Sequence, residues 1–144
     1  MENRAILLVE DNGDDEILTL DALRSADVTN EVFVVRDGAE ALDYLFSQGK
    51  YATHEPSALP GLILLDLKLP KISGLEVLRR VKCDERTRHI PVVVLTTSSE
   101  REDIKNCYGN AANSYVRKPV EFEKFLEAVH HLGLYWMLVN ERWC

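Results

Sequence analysis

Apolar residues cluster in two ways along this chain. Ile6-Leu7-Leu8-Val9, Val32-Phe33-Val34-Val35, Leu62-Ile63-Leu64-Leu65, Val92-Val93-Val94-Leu95 and the shorter Tyr115-Val116 are continuous runs of strand length. Unbroken runs of this kind suit parallel strands covered on both faces. Between them the apolar positions fall three and four apart, as on a helix. Ile17, Leu20 and Leu23 mark the buried face of a first helix, and its opening acids Asp14-Asp15-Glu16 suit the positive end of the helix dipole. After Asp37-Gly38, the positions Ala39, Leu42, Leu45 and Phe46 predict a second helix. Leu75, Leu78 and Val81 predict a third, opened by the capping-box pair Ser73 and Glu76. Ser99 with Glu102 repeats that pattern before a fourth, after the strand that Pro91 opens. Phe122, Phe125, Leu126, Val129 and Leu132 give a fifth, and residues 48–60 read as the one long loop.

Five strands alternating with five helices predict an α/β fold: a flavodoxin-like, doubly wound five-stranded parallel sheet in the order 2-1-3-4-5. Strands one and three are neighbours at the switch point of that order. Glu10 and Asp11, which follow the first run, then lie beside Asp66, which follows the third. Thr96 after the fourth run and Lys118 after the fifth reach the same carboxyl edge, where open α/β sheets bind ligands.

Composition narrows the classes of function. A chain of 144 residues fits one domain, with core enough to need no staples. The net charge of −7, from 24 acidic and 17 basic residues, argues against a nucleic-acid surface, which needs clustered cations. Cys83, Cys107 and Cys144 are odd in number and lack metal-ligand spacing, so they read as reduced thiols. With no leader peptide and no apolar run near the ~20 residues that span a bilayer, a cytoplasmic location is expected.

Three carboxylates converging on one cleft repel: two unit charges ~4 Å apart cost about 4 kcal/mol at an effective dielectric near 20. Such a cluster calls for a counter-ion, and hard oxygen ligands with room for water suit Mg²⁺. One carboxylate can then act as a nucleophile toward a phosphoryl group, with the Thr96 hydroxyl and the Lys118 ammonium on its oxygens. Taken singly, each residue has an ordinary role. Asp11 could cap the first helix with Asn12 and Gly13, Asp66 could be a solvated strand end, Thr96 could serve a turn, and Lys118 could be a surface lysine. Together, at the ends of four strands, they are hard to explain that way. His54, His89, His130 and His131 lack ligand spacing and read as surface residues.

At these residues the chain resembles the receiver domain of two-component response regulators, over roughly residues 5–132. The likeness rests on Leu7-Leu8-Val9-Glu10-Asp11-Asn12, Leu65-Asp66-Leu67-Lys68-Leu69-Pro70 with Gly74, Val94-Leu95-Thr96, and Tyr115-Val116-Arg117-Lys118-Pro119. It implies that Asp66 accepts a phosphoryl group from a phosphohistidine on a partner histidine kinase. It also implies that Glu10, Asp11, Asp66 and the backbone carbonyl of Lys68 hold Mg²⁺. Thr96 and Tyr115 match the family's switch pair, and the Lys118-Pro119 peptide is typically cis in such proteins. Within the family the chain looks most like single-domain regulators that pair with phytochrome-type kinases. The long loop, Ala112-Asn113-Ser114-Tyr115 and the aromatic Leu134-Tyr135-Trp136 support that placement.

Two positions depart from the family pattern. Ala111 stands where glycine is usual, with Gly109 as another place for the turn, and Lys68 stands where Asn or Met is often found. Residues 1–132 form the expected receiver. Residues 133–144, apolar at Leu134, Tyr135, Trp136, Met137, Leu138, Val139 and Trp143, form an extension that could fold back on its own domain, but the expectation is that it joins helix five in a homodimer or partner contact. The expected role is signalling through altered protein contacts, not enzymatic turnover. A haloacid-dehalogenase-type phosphatase would carry a second Asp where Lys68 stands. A flavin carrier would need a phosphate loop where Glu10-Asp11 repels phosphate. A degenerate receiver that only binds is disfavoured by the complete residue set.

Overall fold

Each apolar run becomes a strand: β1 (Ile6–Val9), β2 (Val32–Val35), β3 (Leu62–Asp66), β4 (Val92–Thr96) and β5 (Ser114–Arg117). The computed structural model describes residues 5–26, 28–53, 59–96 and 114–118, together with 123, 124 and 127. The strands lie in the order β2-β1-β3-β4-β5 and every adjacent pair is parallel. This is the doubly wound, flavodoxin-like arrangement. Between the strands run α1 (Gly13–Ser25), α2 (Gly38–Leu45) and α3 (Gly74–Cys83). The predicted fourth helix, the apolar positions of the fifth, Gly109, Ala111, Cys107 and residues 133–144 lie outside the described residues.

Alternate side chains along the strands feed two cores. Leu7, Val9, Ile63, Leu65, Val92 and Val94 face α2 and α3, where they meet Ala41, Leu42, Leu45, Val77, Leu78 and Val81. Ile6, Leu8, Leu62, Leu64, Val93 and Leu95 face the other way and meet Ala22, Leu23 and Ala26 on the α1 side. With both faces covered, no strand needs a polar position, so the runs are unbroken. At roughly 25 cal/mol per Å² of apolar surface, this burial is the main term holding the helices to the sheet.

Two expectations need correction. On α1, Leu23 is buried and Leu20 packs against the core as expected, but Thr19 and Ala22 complete the buried face, while Ile17 and Leu18 stand outward at 59% and 46% exposure. Ile17 lies on the side of the helix away from Thr19, Ala22, Leu23 and Ala26, so burying those four turns it outward. The second concerns the loop of residues 48–60, which contains a 3-10 turn at Gly49–Tyr51. Its Tyr51 ring packs edge-on against Phe33 and Tyr44, so part of the segment joins the core rim.

Candidate functional site

Strand register builds the site. Val9 pairs with Leu65, so the next residues, Glu10 just past β1 and Asp66 at the end of β3, lie side by side. Glu10 extends the ladder on its other side through its N–H, which donates to Val35 O at 3.0 Å. The chain then turns into α1, and Asn12 caps it: Asn12 Oδ1 accepts from the Asp15 N–H at 3.0 Å. Capping therefore falls to Asn12, and Asp11 stays exposed at the mouth of the cleft. On the β3 side, Gly74 starts α3 directly against the strand end. A Cβ there would sit 2.1 Å from the Asp66 carbonyl oxygen, so only glycine permits the approach.

Glu10, Asp11 and Asp66 each offer a carboxylate oxygen, and the three oxygens lie within 4.8 Å of one another. Glu10 is fully buried and Asp66 nearly so. Lys118, at the end of β5, brings its ammonium into the same space. Nζ lies 2.6 Å from Glu10 Oε1, 3.3 Å from Asp66 Oδ2 and 3.0 Å from Asp15 Oδ2, with the side chain only 5% exposed. The Lys68 N–H donates to Asp66 Oδ1 at 3.4 Å, and the Lys68 side chain is exposed.

Electrostatics follow from burial. Removal from water, with the charge of Asp66 adding to it, pushes the Glu10 carboxyl up to about 7, against the pull of Lys118 and the Asn12 N–H. For Lys118, burial works against the charged form. The contacts with Glu10 and Asp15 and the charge of Asp66 outweigh it, so its pKa ends above that of a free lysine.

The donor set fits a hard divalent cation. Three carboxylate oxygens converge, two of them from buried residues, and the Lys118 ammonium contacts those two acids. Glu10 Oε1 is buried with the Lys118 ammonium as its charged neighbour, so a divalent cation can take the place that ammonium holds. β4 carries Thr96 and β5 carries Tyr115 toward this edge, with Thr96 opposite Arg117 in the ladder. The side chains of Thr96 and Tyr115, and Pro119 with the Lys118-Pro119 peptide, lie outside the described residues. His89 is exposed, and the other histidines lie outside the described residues.

One member of the site is absent from the sequence-level set. Asp15 reads there only as a helix-opening acid, yet its carboxylate binds an ammonium 103 residues away. No local pattern signals such a contact.

Comparison with known proteins assigns the family. Residues 6–130 match the response regulator receiver domain. The chain belongs to that family. It is 44% identical over 134 residues to the probable methanogenesis regulatory protein FilR2 of Methanothrix harundinacea, covering 92% of this chain and 83% of that protein. It is 38% identical over 134 residues to the response regulator Rcp1 of Synechocystis sp., covering 93% and 89%. Among solved structures, the bacteriophytochrome response regulator AtBRR superposes with a TM-score of 0.86 at 52% identity, covering 97% of this chain and 99% of that one. The Mn(2+)-bound form of Rcp1 superposes at 0.76 with 36% identity, covering 93% and 94%. Within the receiver family, the likeness is to phytochrome-associated response regulators. Among the described residues, no helix is long and apolar enough to cross a membrane.

Proposed function

We propose that this receiver accepts a phosphoryl group on Asp66 from a phosphohistidine of a partner histidine kinase, of phytochrome type, in a Mg²⁺-dependent step. The observation that carries the reading is the convergence of Glu10, Asp11 and Asp66 within 4.8 Å, with the Lys118 ammonium against two of them. Glu10, Asp11, Asp66 and the Lys68 backbone carbonyl hold the metal, and Asp11 and Asp66 are its direct side-chain ligands. Bound there, Mg²⁺ supplies charge neutralisation between the acids and the incoming phosphoryl oxygens. The Mn²⁺ bound to Rcp1 supports a divalent cation of this class.

An Asp66 carboxylate oxygen forms the new bond to phosphorus as the phosphorus–nitrogen bond of the donor breaks. The bonding pair stays on the imidazole nitrogen, which takes up a proton. Lys118 places its charge on one phosphoryl oxygen and the Thr96 hydroxyl donates to another. Thr96 and Tyr115 then act as the switch pair that converts the acyl phosphate into altered protein contacts. The full layout is five strands and five helices over residues 1–132. Residues 133–144 join helix five in a homodimer contact.

Acetyl phosphate with Mg²⁺ tests the acceptor. Intact mass is expected to show a base-labile gain in the parent and none in Asp66→Asn; a gain that persists in the variant contradicts the assignment.

A further inference from the structure

We propose that Asp15 is a positioning residue: it receives the Lys118 ammonium when a divalent cation occupies the acid cluster, and so sets how tightly the cluster binds that cation. The inference rests on the reading of Glu10, Asp11 and Asp66 as a metal site. Three observations carry it. First, Lys118 is shared among three carboxylates, and it donates a hydrogen bond to Asp15 Oδ2 at 3.0 Å. A shorter contact, 2.6 Å, joins Nζ to Glu10 Oε1, and a longer one, 3.3 Å, joins it to Asp66 Oδ2. Of the three acids that share the ammonium, Asp15 is the one outside the metal set, so it is the partner that a bound cation leaves to the lysine.

Second, Asp15 lies on the outer side of the lysine. Its side chain is 29% exposed, against 0% for Glu10 and 8% for Asp66. A cation among the acids repels the ammonium and competes with it for Glu10 and Asp66. Lys118 can give up the Glu10 contact by swinging outward while its bond to Asp15 persists. The move keeps the ammonium charged and at the cleft edge, within reach of a phosphoryl group on Asp66.

Third, Asp15 is held in place. Its backbone N–H is held by the Asn12 cap in the first turn of α1, and from there its carboxylate reaches the Lys118 ammonium at the end of β5. Without Asp15, the ammonium has only Glu10 and Asp66 to pair with and blocks the site more firmly. Asp14, one residue earlier on the same turn, carries the same charge and faces solvent. It separates a general charge effect from the Lys118 contact.

Mg²⁺ affinity, measured by calorimetry on the unphosphorylated full chain at fixed ionic strength, tests the proposal. Asp15→Asn is expected to weaken binding about fivefold or more, the scale of a site-to-site coupling. Asp14→Asn is expected to change it by less than about twofold, as for a screened surface charge. Asp15→Glu is expected to restore most of the loss. In a Lys118→Gln background, Asp15→Asn is expected to do no more than Asp14→Asn, because the residue acts through the lysine. Equal effects of Asp15→Asn and Asp14→Asn, or an Asp15→Asn effect undiminished without Lys118, overturn the proposal. A parent that binds Mg²⁺ no better than Asp66→Asn overturns the metal reading itself, and the proposal with it.

Discussion

Glu10 carries the largest upward shift of a carboxyl among the described residues. Its carboxyl is raised from 4.5 to about 7, chiefly by burial. Between those values the metal-free folded state keeps a proton that the unfolded chain has released. Folding stability attributable to Glu10 is therefore full below pH 4.5, falls as pH rises toward 7, and is flat above. Urea denaturation in chelator from pH 5 to 8 is expected to show the parent losing stability relative to Glu10→Gln, mostly below pH 7. Parallel curves contradict this account. Lys68 makes a second prediction, because its exposed side chain lies two residues beyond Asp66 at the cleft mouth. A charge-assisted contact from it to the phosphoryl group, worth about 1 kcal/mol, makes loss from Lys68→Ala about fivefold faster. Equal phosphoryl half-lives for variant and parent contradict it. At this scale Glu10 and Asp66 are legible in the sequence, because each directly follows an unbroken apolar run. Asp15 is not, because its partner is distant in the chain and helix-opening acids are common.

Among the elements, α3 shows how the site depends on close approach. Its first residue, Gly74, touches the end of β3, and its N–H donates to Leu67 O at 2.9 Å. Gly74→Ala forces the helix away from Asp66 and is expected to cost about 1–3 kcal/mol, as overpacking does. It is also expected to slow phosphorylation from acetyl phosphate. Gly13, the first residue of α1, has nothing within 4 Å of a built Cβ, so Gly13→Ala is expected to be neutral or stabilising by about 0.5–1 kcal/mol. Thermal unfolding of the pair checks the contrast; equal effects contradict it. The start of α3 was legible in part. Ser73 Oγ accepts from the Glu76 N–H at 3.2 Å, as a cap should, but the Glu76 carboxylate turns to Arg79 and Arg80. α1 was legible as a helix but not in rotation, because periodicity finds apolar residues without knowing how near the sheet will lie. Ile17 and Leu18 stay outside while Thr19 and Ala22 go in beside Leu23.

For the molecule as a whole, topology does most of the positioning. The order β2-β1-β3-β4-β5 sets β1 beside β3, and a one-residue continuation of each brings Glu10 to Asp66. Strand length and chain direction could be read from the unbroken runs, and handed crossovers left few orders to consider. The depth of Lys118 in the cleft could not, since it depends on packing between β5 and α1. The proposed homodimer also belongs to this scale and predicts a concentration-dependent shift in sedimentation at micromolar protein. Truncation after residue 132 is expected to abolish that shift, and a parent that stays monomeric, phosphorylated or not, contradicts it. The central claim is that Asp66 alone becomes the acyl phosphate. Borohydride reduction of the phosphorylated chain, followed by peptide mass mapping, tests it most directly, because reduction converts an aspartyl phosphate to homoserine. Homoserine at position 66, dependent on Mg²⁺, is the expected result; homoserine elsewhere, or at 66 without any divalent cation, contradicts the account.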